Sequence, residues 1–409
     1  MNKKKYGIVA ADCLLAVLIG VVVGAIDTVF GRGLLWISDF RSVHIRYLLP
    51  FLPLAGIVIV WLYRTFDEKS LKGMSLVFDV GQYKEEKLPL PLIPLVIAGT
   101  WLTHLFGGSA GREGVAVQIG AVVSHETGRR LGLAQDDRIL LITGMAAGFG
   151  GLFQTPLAAV FFAMEVLTAG EMRYDALLPS LIASYTASST SHWLGLEKFA
   201  VTIVEPLNMQ NGKTAAAVVL LGVIFGVTGR IFSVLLQKSK AFMAEHMKNP
   251  YMRIGVMGIV LALLLRIAGN GRYSGLGTNL ISLSLGTAYG QIFAWDFLLK
   301  ILFTVLTLAI GFQGGEVTPL FSVGASLGVV LGSAVGISPV TAAALGYAAV
   351  FGGATNTLIA PVMIGLEVFG SANIIPFVLV CLLAYVVNGD RSIYGGQLKA
   401  AFKNRLDQP

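Results

Sequence analysis

The sequence predicts an all-α polytopic membrane protein, and its composition supports this fold class in three ways. Hydrophobic residues occupy 55% of the 409 positions and charged residues only 13%, whereas a soluble domain carries about 25% charge. Uncharged stretches reach the length of a membrane-spanning helix at 88–111, 139–164, 317–366 and 368–389. The 49 glycines indicate short, tilted or partly broken helices that pack closely.

The longest uncharged stretch, 317–366, exceeds the length of one membrane span. As a single helix it would be about 75 Å long, against a hydrocarbon core of about 30 Å. We therefore expect it to break at glycine and proline residues. Those residues are Pro319, Gly324, Gly328, Gly332, Gly336, Pro339, Gly346, Gly352, Gly353 and Pro361.

Basic residues lie near both ends of the chain and indicate its topology. They are Lys3, Lys4 and Lys5 at the start, and Lys399, Lys403 and Arg405 at the end. The positive-inside rule then predicts two cytoplasmic termini and an even number of crossings. The net charge of +7 does not predict a nucleic-acid partner, because no basic domain lies outside the apolar segments. Cys13 and Cys381 lie within apolar segments, so no disulfide, metal or other cofactor is expected.

The chain contains an internal repeat. Residues 144–166, GMAAGFGGLFQTPLAAVFFAMEV, align without a gap on 346–368, GYAAVFGGATNTLIAPVMIGLEV, at a constant offset of 202 positions. Glu165 and Glu367 end the two copies, where we expect them to be surface or capping residues. The polar segment EPLNMQNGK is a candidate hinge. We therefore predict a first transmembrane half over 1–204, a linker over 205–213 and a second half over 214–409.

A second match, just upstream in each half, pairs two carboxylates in apolar surroundings. GREGVAVQIGA (111–121) corresponds to GGEVTPLFSVGA (314–325), with Glu113 opposite Glu316. A glycine lies one or two positions before each glutamate and an apolar helical stretch follows it, so each is expected near a helix N-terminus, where negative charge is favoured. Two such termini meeting in the membrane would form an anion site. A carboxylate there competes with a free anion until a proton neutralises it, which is an antiport mechanism.

The residues also allow structural interpretations. Glu113 could pair with Arg112 at the surface, and Thr318 could be an ordinary helix-start residue. The structural alternative is weaker for Glu316, because the nearest formal charges along the sequence are Lys300 and Glu367. An intramembrane enzyme could use two carboxylates for acid–base work, but no nucleophile–base pattern or metal spacing accompanies them, so we predict that the chain is not an enzyme.

The motif GREGVAVQIGA resembles the GREGP signature of the CLC chloride channel and transporter family, and the resemblance extends over nearly the whole chain. GGLFQTPLAAVFFAMEV resembles the CLC helix after the first half-site, and GGEVTP stands where the family has GxFxP. RSIYGGQ places Tyr394 at the family's central tyrosine. The resemblance implies a CLC-type inverted repeat of many tilted helices, a last helix near Tyr394 and a homodimer with one pathway per subunit. The dimer interface is expected within about 152–195 and about 355–388.

Three departures from the usual CLC motifs indicate a particular branch. The first motif reads GMSLV (73–77), with Met74 where the anion-binding serine would be. Glu316 and Val317 replace the phenylalanine-containing pattern, and Val166 stands at the position of the inner proton-transfer glutamate. This combination resembles the CLC-F fluoride/proton antiporters. The resemblance therefore implies fluoride export against protons, and fluoride resistance, in the cell membrane; a chloride/proton exchanger or a chloride channel is the alternative.

The same resemblance assigns roles to individual residues. It implies that Glu113 is the gating glutamate and that Glu316 is a second carboxylate linked to protons or fluoride. Met74 and Tyr394 are expected to line the cytoplasmic side of the site. The expected anion-binding residues are Gly73, Met74, Gly111, Arg112, Gly114, Val115, Val317, Thr318 and Tyr394. Protons would pass between the two glutamates or travel with fluoride bound to a neutral carboxyl. The implied partners are fluoride, protons, a second copy of the chain and the lipid bilayer.

Overall fold

A computed structural model describes residues 3–132 and 137–400, and their secondary structure is helical apart from one short strand pair. The helices are α1 (Lys3–Leu48), α2 (Leu52–Phe66), α3 (Met74–Gly81), α4 (Leu92–Leu105), α5 (Glu113–Arg130), α6 (Asp137–Phe153), α7 (Pro156–Glu165), α8 (Leu177–Trp193), α9 (Gly212–His246), α10 (Pro250–Ile267), α11 (Thr278–Leu285), α12 (Asp296–Ile310), α13 (Val317–Val335), α14 (Pro339–Thr355), α15 (Ile359–Phe369) and α16 (Ile374–Asn388). Strands β1 (Thr168–Ala169) and β2 (Leu398–Lys399) pair in parallel.

The helices confirm the predicted class of all-α multi-pass membrane protein. Four described segments are long and apolar enough to cross a membrane: Cys13–Phe66, Gly212–His246, Pro250–Ile267 and Val317–Val335. Five further apolar helices have only 10–17 residues: Leu92–Leu105, Arg138–Phe153, Pro156–Glu165, Ile359–Phe369 and Ile374–Asn388. This mixture of long and short apolar helices is the expected pattern of tilted and interrupted spans.

The uncharged stretch 317–366 is divided into α13, α14 and α15, as its length requires. The first break follows Gly336, which closes α13 with φ of 74°, a left-handed conformation that glycine adopts without steric cost. The second break is at Asn356, with φ of 56°, so glycine and proline do not provide it. Asparagine is the other residue that commonly tolerates this conformation.

Most of the other expected helix breakers instead lie inside helices and allow close packing. A β-carbon built on Gly324 in α13 would lie 2.0 Å from the carbonyl oxygen of Gly346 in α14. The first half repeats this arrangement, since a β-carbon on Gly120 in α5 would lie 1.9 Å from the carbonyl oxygen of Gly144 in α6. The two glycine pairs therefore bring equivalent helices of each half into backbone contact.

Glu165 and Glu367 are capping residues, as predicted, but each caps a helix of the opposite half. Glu165, at the end of α7, accepts hydrogen bonds from the first backbone N–H groups of α15, at 2.9 Å from Ala360 and 3.1 Å from Leu358. Glu367, in α15, accepts from Leu157 and Ala158 at the start of α7, at 3.1 and 2.9 Å. Carboxylates satisfy the free N–H groups of helix starts, so these reciprocal caps join the two halves.

Two segments without helix complete the architecture. Residues 194–211 connect α8 to α9, which begins at Gly212 inside the predicted linker. The backbone N–H groups of Val201 and Ile203 there donate to Val368 and Phe369. Tyr394 lies in the other segment, which has no helix between the end of α16 and residue 400. The region where a following helix would start, 401–409, is outside the described residues.

Candidate anion and proton site

The site forms where the N-termini of α5 and α13 meet. The N–H of Gly111 donates to the carbonyl of Gly315 at 2.5 Å, and the N–H of Gly315 donates to that of Gly111 at 2.9 Å. Glycine is required for this approach, because a β-carbon on Gly111 would lie 3.0 Å from the Gly315 carbonyl oxygen. Gly111 and Gly315, which lie just before the two glutamates, thus bring the starts of α5 and α13, with their free N–H groups, next to each other.

Glu113 is the first residue of α5, and its carboxylate lies against the first turn of α13. The residue is 1% exposed. The Thr318 hydroxyl lies 2.7 Å from Oε1 and 2.6 Å from Oε2, and the Thr318 backbone N–H donates to Oε2 at 3.0 Å. The N–H of Arg112 adds a donor at 3.3 Å. Backbone donors at a helix N-terminus are the usual binding site for an anion, and here the anion is a side chain of the protein.

Arg112 does not form the surface ion pair that the structural interpretation would require. Its side chain is 12% exposed, and its Nε lies 3.8 Å from Oε1 of Glu113, which is beyond hydrogen-bonding distance. Nε and Nη1 make no hydrogen bond within the described part of the chain. The guanidinium therefore contributes positive charge near the Glu113 carboxylate and leaves donors available there.

Glu316 is the N-cap residue of α13, and its carboxylate has a partner that sequence spacing did not identify. The residue is 8% exposed. Its Oε1 lies 3.3 Å from Nζ of Lys240 on α9, whose side chain is 45% exposed. The lysine lies 76 positions upstream, so only the packing of α9 beside α13 brings the two together. Glu316 therefore carries a buried carboxylate paired with a cation at the edge of a cavity.

That cavity has a volume of about 610 Å³ and is lined by several of the predicted site residues. Its lining includes Gly73, Met74, Gly114, Gln118, Glu316 and Tyr394, together with the basic residues Lys72, Lys240 and Arg253. The Tyr394 ring stacks on Phe78 with centroids 5.2 Å apart. Met74 and Tyr394 therefore share one cavity with Glu316. We call this cavity the vestibule.

The remaining predicted residues occupy supporting positions. Val115 and Val317 are 0% and 1% exposed and pack in the main hydrophobic core next to the two glutamates. Val166 is fully buried, and its carbonyl accepts a hydrogen bond from Gln397 at 2.9 Å. No titratable side chain therefore stands at the position of the inner glutamate. Glu113, Glu316, Met74, Thr318 and Tyr394 are the predicted residues that surround the site.

The Glu113 carboxylate lies where the N-termini of α5 and α13 meet, close to a vestibule lined with basic residues. This arrangement defines a membrane anion transporter built from two related halves. The family model described as voltage gated chloride channel matches residues 55–389. This match covers most of the chain, which therefore belongs to the voltage gated chloride channel family.

Similar proteins extend the comparison. A chloride/fluoride channel protein of Pseudomonas syringae pv. tomato is 34% identical over 402 residues, covering 97% of this chain and 88% of that protein. An H(+)/Cl(-) exchange transporter ClcA of Yersinia pestis is 26% identical over 408 residues, covering 91% and 84%. The crystal structure of a CLC-type fluoride/proton antiporter has a TM-score of 0.94 and 48% identity, covering 98% of this chain and 100% of that one. A cyanobacterial Cl-/H+ antiporter, with a TM-score of 0.78 and 19% identity, shares the fold.

Proposed function

We propose that this protein is a fluoride/proton antiporter that exports fluoride from the cytoplasm in exchange for protons. The observation that carries the proposal is the position of the Glu113 carboxylate, which accepts hydrogen bonds from the N–H and hydroxyl of Thr318. These donors are the ones that a small anion would use. We call the position next to the Thr318 N–H and hydroxyl the anion seat. An ionised Glu113 occupies this seat and excludes fluoride, whereas a protonated Glu113 loses its charge-assisted hydrogen bonds and leaves it. Anion and proton thus exchange at one position.

Fluoride is favoured over chloride by the residues that depart from the usual CLC pattern. Fluoride is a small, strong hydrogen-bond acceptor, and a neutral carboxyl group is a donor, so protonated Glu113 or Glu316 can accompany it. Met74 lines the vestibule where a hydroxyl would bind chloride, and a poorer chloride site improves discrimination. The 48% identical structure titled a fluoride/proton antiporter and the 34% identical chloride/fluoride channel protein support this choice.

Protons are proposed to move between Glu113 and Glu316, because Val166 provides no titratable group for another inner route. Both residues lie close in sequence to the Gly111–Gly315 bridge, Glu113 two positions after Gly111 and Glu316 directly after Gly315. Fluoride hydrogen-bonded to a neutral carboxyl would supply the alternative carrier. The related proteins are named as channels, exchangers or antiporters, which supports transport over catalysis by these carboxylates.

The assembly and location are also proposals. We propose a homodimer in the cell membrane, with both termini cytoplasmic, one pathway per subunit and an interface within about 152–195 and about 355–388. Exposed apolar residues on α16 support such an interface, since Ile375, Val378, Leu382 and Val386 follow one side of the helix. The proposed halves, 1–204 and 214–409, are supported by the matching glycine contacts and reciprocal caps.

The test is halide efflux from liposomes that contain the purified protein, with external fluoride, chloride and pH recorded together. The proposal expects rapid fluoride efflux, much slower chloride efflux and proton uptake that accompanies fluoride. Comparable chloride efflux with coupled protons would support the chloride/proton exchanger instead. Halide efflux without proton movement would support a passive channel.

A further inference from the structure

We infer that Lys240 pairs with the carboxylate of Glu316 at the vestibule and binds incoming fluoride when Glu316 is protonated. The inference rests on the proposed function and adds a residue to it. The contact that carries it is the 3.3 Å distance between Lys240 Nζ and Glu316 Oε1. The two side chains differ in exposure, at 45% for the lysine and 10% for the glutamate. The ammonium therefore lies between the open vestibule and a nearly buried carboxylate.

The other cations of the vestibule already have fixed partners. Lys72 Nζ lies 3.1 Å from Glu85 and 3.5 Å from Asp79, and the hydrogen bond to Glu85 raises the pKa of Lys72. Arg253 donates to the carbonyl of Ile310 at 3.0 Å. The charge of Lys240 is therefore the vestibule charge that depends directly on the protonation of a site carboxylate.

The charged and titratable groups facing Glu316 come from several elements. Glu113 and Arg112 lie across the bridge at the start of α5, and Tyr394 lies on the C-terminal segment. The vestibule adds Lys240 from α9, Arg253 from α10 and Lys72 before α3, the last with its partners Asp79 and Glu85. Among these cations, Lys240 is the one that forms an ion pair with Glu316 in the part of the chain that the structure describes. Removing it should therefore act on the surroundings of the Glu316 carboxylate most directly.

The ion pair gives an exchange step in which charges and atoms balance. A proton arriving from the Glu113 side forms an O–H bond on Glu316, and the neutral carboxyl no longer holds the ammonium of Lys240. The ammonium then binds a fluoride ion from the cytoplasm. Glu113, neutralised again by a proton from the outside, leaves its seat open. When Glu316 then releases its proton to the cytoplasm, the carboxylate takes back the ammonium and displaces fluoride into the open seat. Glu113 next passes its new proton to Glu316, and its carboxylate returns and expels the fluoride to the outside. One proton has entered the cytoplasm and one fluoride has left it.

The test compares Lys240→Met with Lys240→Arg, and uses Lys238→Met as a matched control because Lys238 is an exposed lysine on the same helix. Fluoride efflux and proton uptake are measured against pH in liposomes. Lys240→Met removes the cation that lies 3.3 Å from Glu316 at the vestibule. The apparent affinity for fluoride on the cytoplasmic side should fall about threefold. Lys240→Arg and Lys238→Met should behave as the wild type.

A double variant isolates the role of the ion pair. In a Glu316→Gln background no carboxylate competes for the ammonium, so Lys240→Met should lower the apparent fluoride affinity to the same extent at every pH. Unchanged fluoride affinity in folded Lys240→Met protein would overturn the inference, as would Lys240→Arg behaving like Lys240→Met. Absence of coupled proton flux in the wild type would instead contradict the proposed function, so the two failures are distinguishable.

Discussion

The hydroxyl of Thr318, in the first turn of α13, lies 2.7 and 2.6 Å from the two carboxylate oxygens of Glu113, the first residue of α5. The residues are 205 positions apart and belong to equivalent helices of the two halves. One hydrogen bond from the hydroxyl, reinforced by the Thr318 N–H, therefore joins the start of α5 to the start of α13. In the proposed mechanism this contact closes the pathway. Its strength determines how firmly the carboxylate occupies the anion seat.

Replacing Thr318 with valine should allow anions to leak at high pH. Valine keeps the shape and the backbone N–H but removes the hydroxyl, and a hydrogen bond to a charged group contributes about 1.5–3 kcal/mol. The ionised Glu113 would then leave its seat about 10- to 150-fold more often. Fluoride efflux measured above neutral pH checks this, and Thr318→Ser, which keeps the hydroxyl, should retain tight closure. A tight Thr318→Val protein would contradict the role of the hydroxyl.

Neutralising Glu113 should remove both gating and coupling. Glu113→Gln keeps an oxygen that can accept from Thr318 but cannot ionise, so fluoride flux should lose its dependence on pH. Proton uptake driven by fluoride should fall to the background of empty liposomes. The two fluxes are recorded in one experiment with a fluoride electrode and a pH electrode. Retained proton uptake would rule out Glu113 as the proton-exchanging gate.

Neutralising Glu316 should reduce proton coupling while the protein remains folded. Glu316 lies on the proposed proton route and is nearly buried, so Glu316→Gln should lower the ratio of protons to fluoride. Glu245→Gln provides the control, because Glu245 is an exposed glutamate near the end of α9. Coupled flux in Glu316→Gln equal to that of the control would eliminate the proposed role of this carboxylate.

Adding a methyl group at the contact between α13 and α14 should destabilise the fold. The β-carbon of Gly324→Ala would meet the carbonyl oxygen of Gly346 at 2.0 Å, and because both groups are backbone, the helices must separate. Overpacking of this kind costs about 1–3 kcal/mol. The midpoint of thermal unfolding in detergent should fall, whereas Gly290→Ala, with no neighbour within 4 Å, should match the wild type. Equal midpoints would show that this close helix contact is dispensable.

The sequence predicted the helical membrane class, the division of 317–366 into several helices and the positions of Glu113 and Glu316 at helix starts. These features depend on local composition and on the repeat, which a single sequence displays directly. The pairing of Glu316 with Lys240 could not be predicted, because it depends on how α9 packs beside α13. The exact break at Asn356 was also missed, since a left-handed asparagine leaves no glycine or proline signal.

The capping glutamates show how far local reasoning extends. Glu165 and Glu367 lie near the ends of the duplicated helices, which indicated capping residues. In the structure, the carboxylate of each binds N–H groups at the start of another helix. The sequence did not show that each would cap a helix of the other half, because that contact depends on the packing of α7 against α15. Most of the glycines predicted to break helices in 317–366 instead lie inside helices, for the same reason. Their small size allows a neighbouring helix to pack closely, and the sequence does not show which helix that is.

The sharpest test of fluoride/proton exchange at Glu113 is whether a fluoride gradient can drive protons uphill. Liposomes containing the protein are loaded with fluoride and placed in fluoride-free buffer at equal pH, with the membrane voltage clamped at zero by an ionophore. For a fluoride/proton antiporter, we expect fluoride efflux to drive protons inward against the proton gradient that this movement creates. An equal chloride gradient should drive far fewer protons inward. Fluoride efflux with no proton movement would contradict exchange at Glu113.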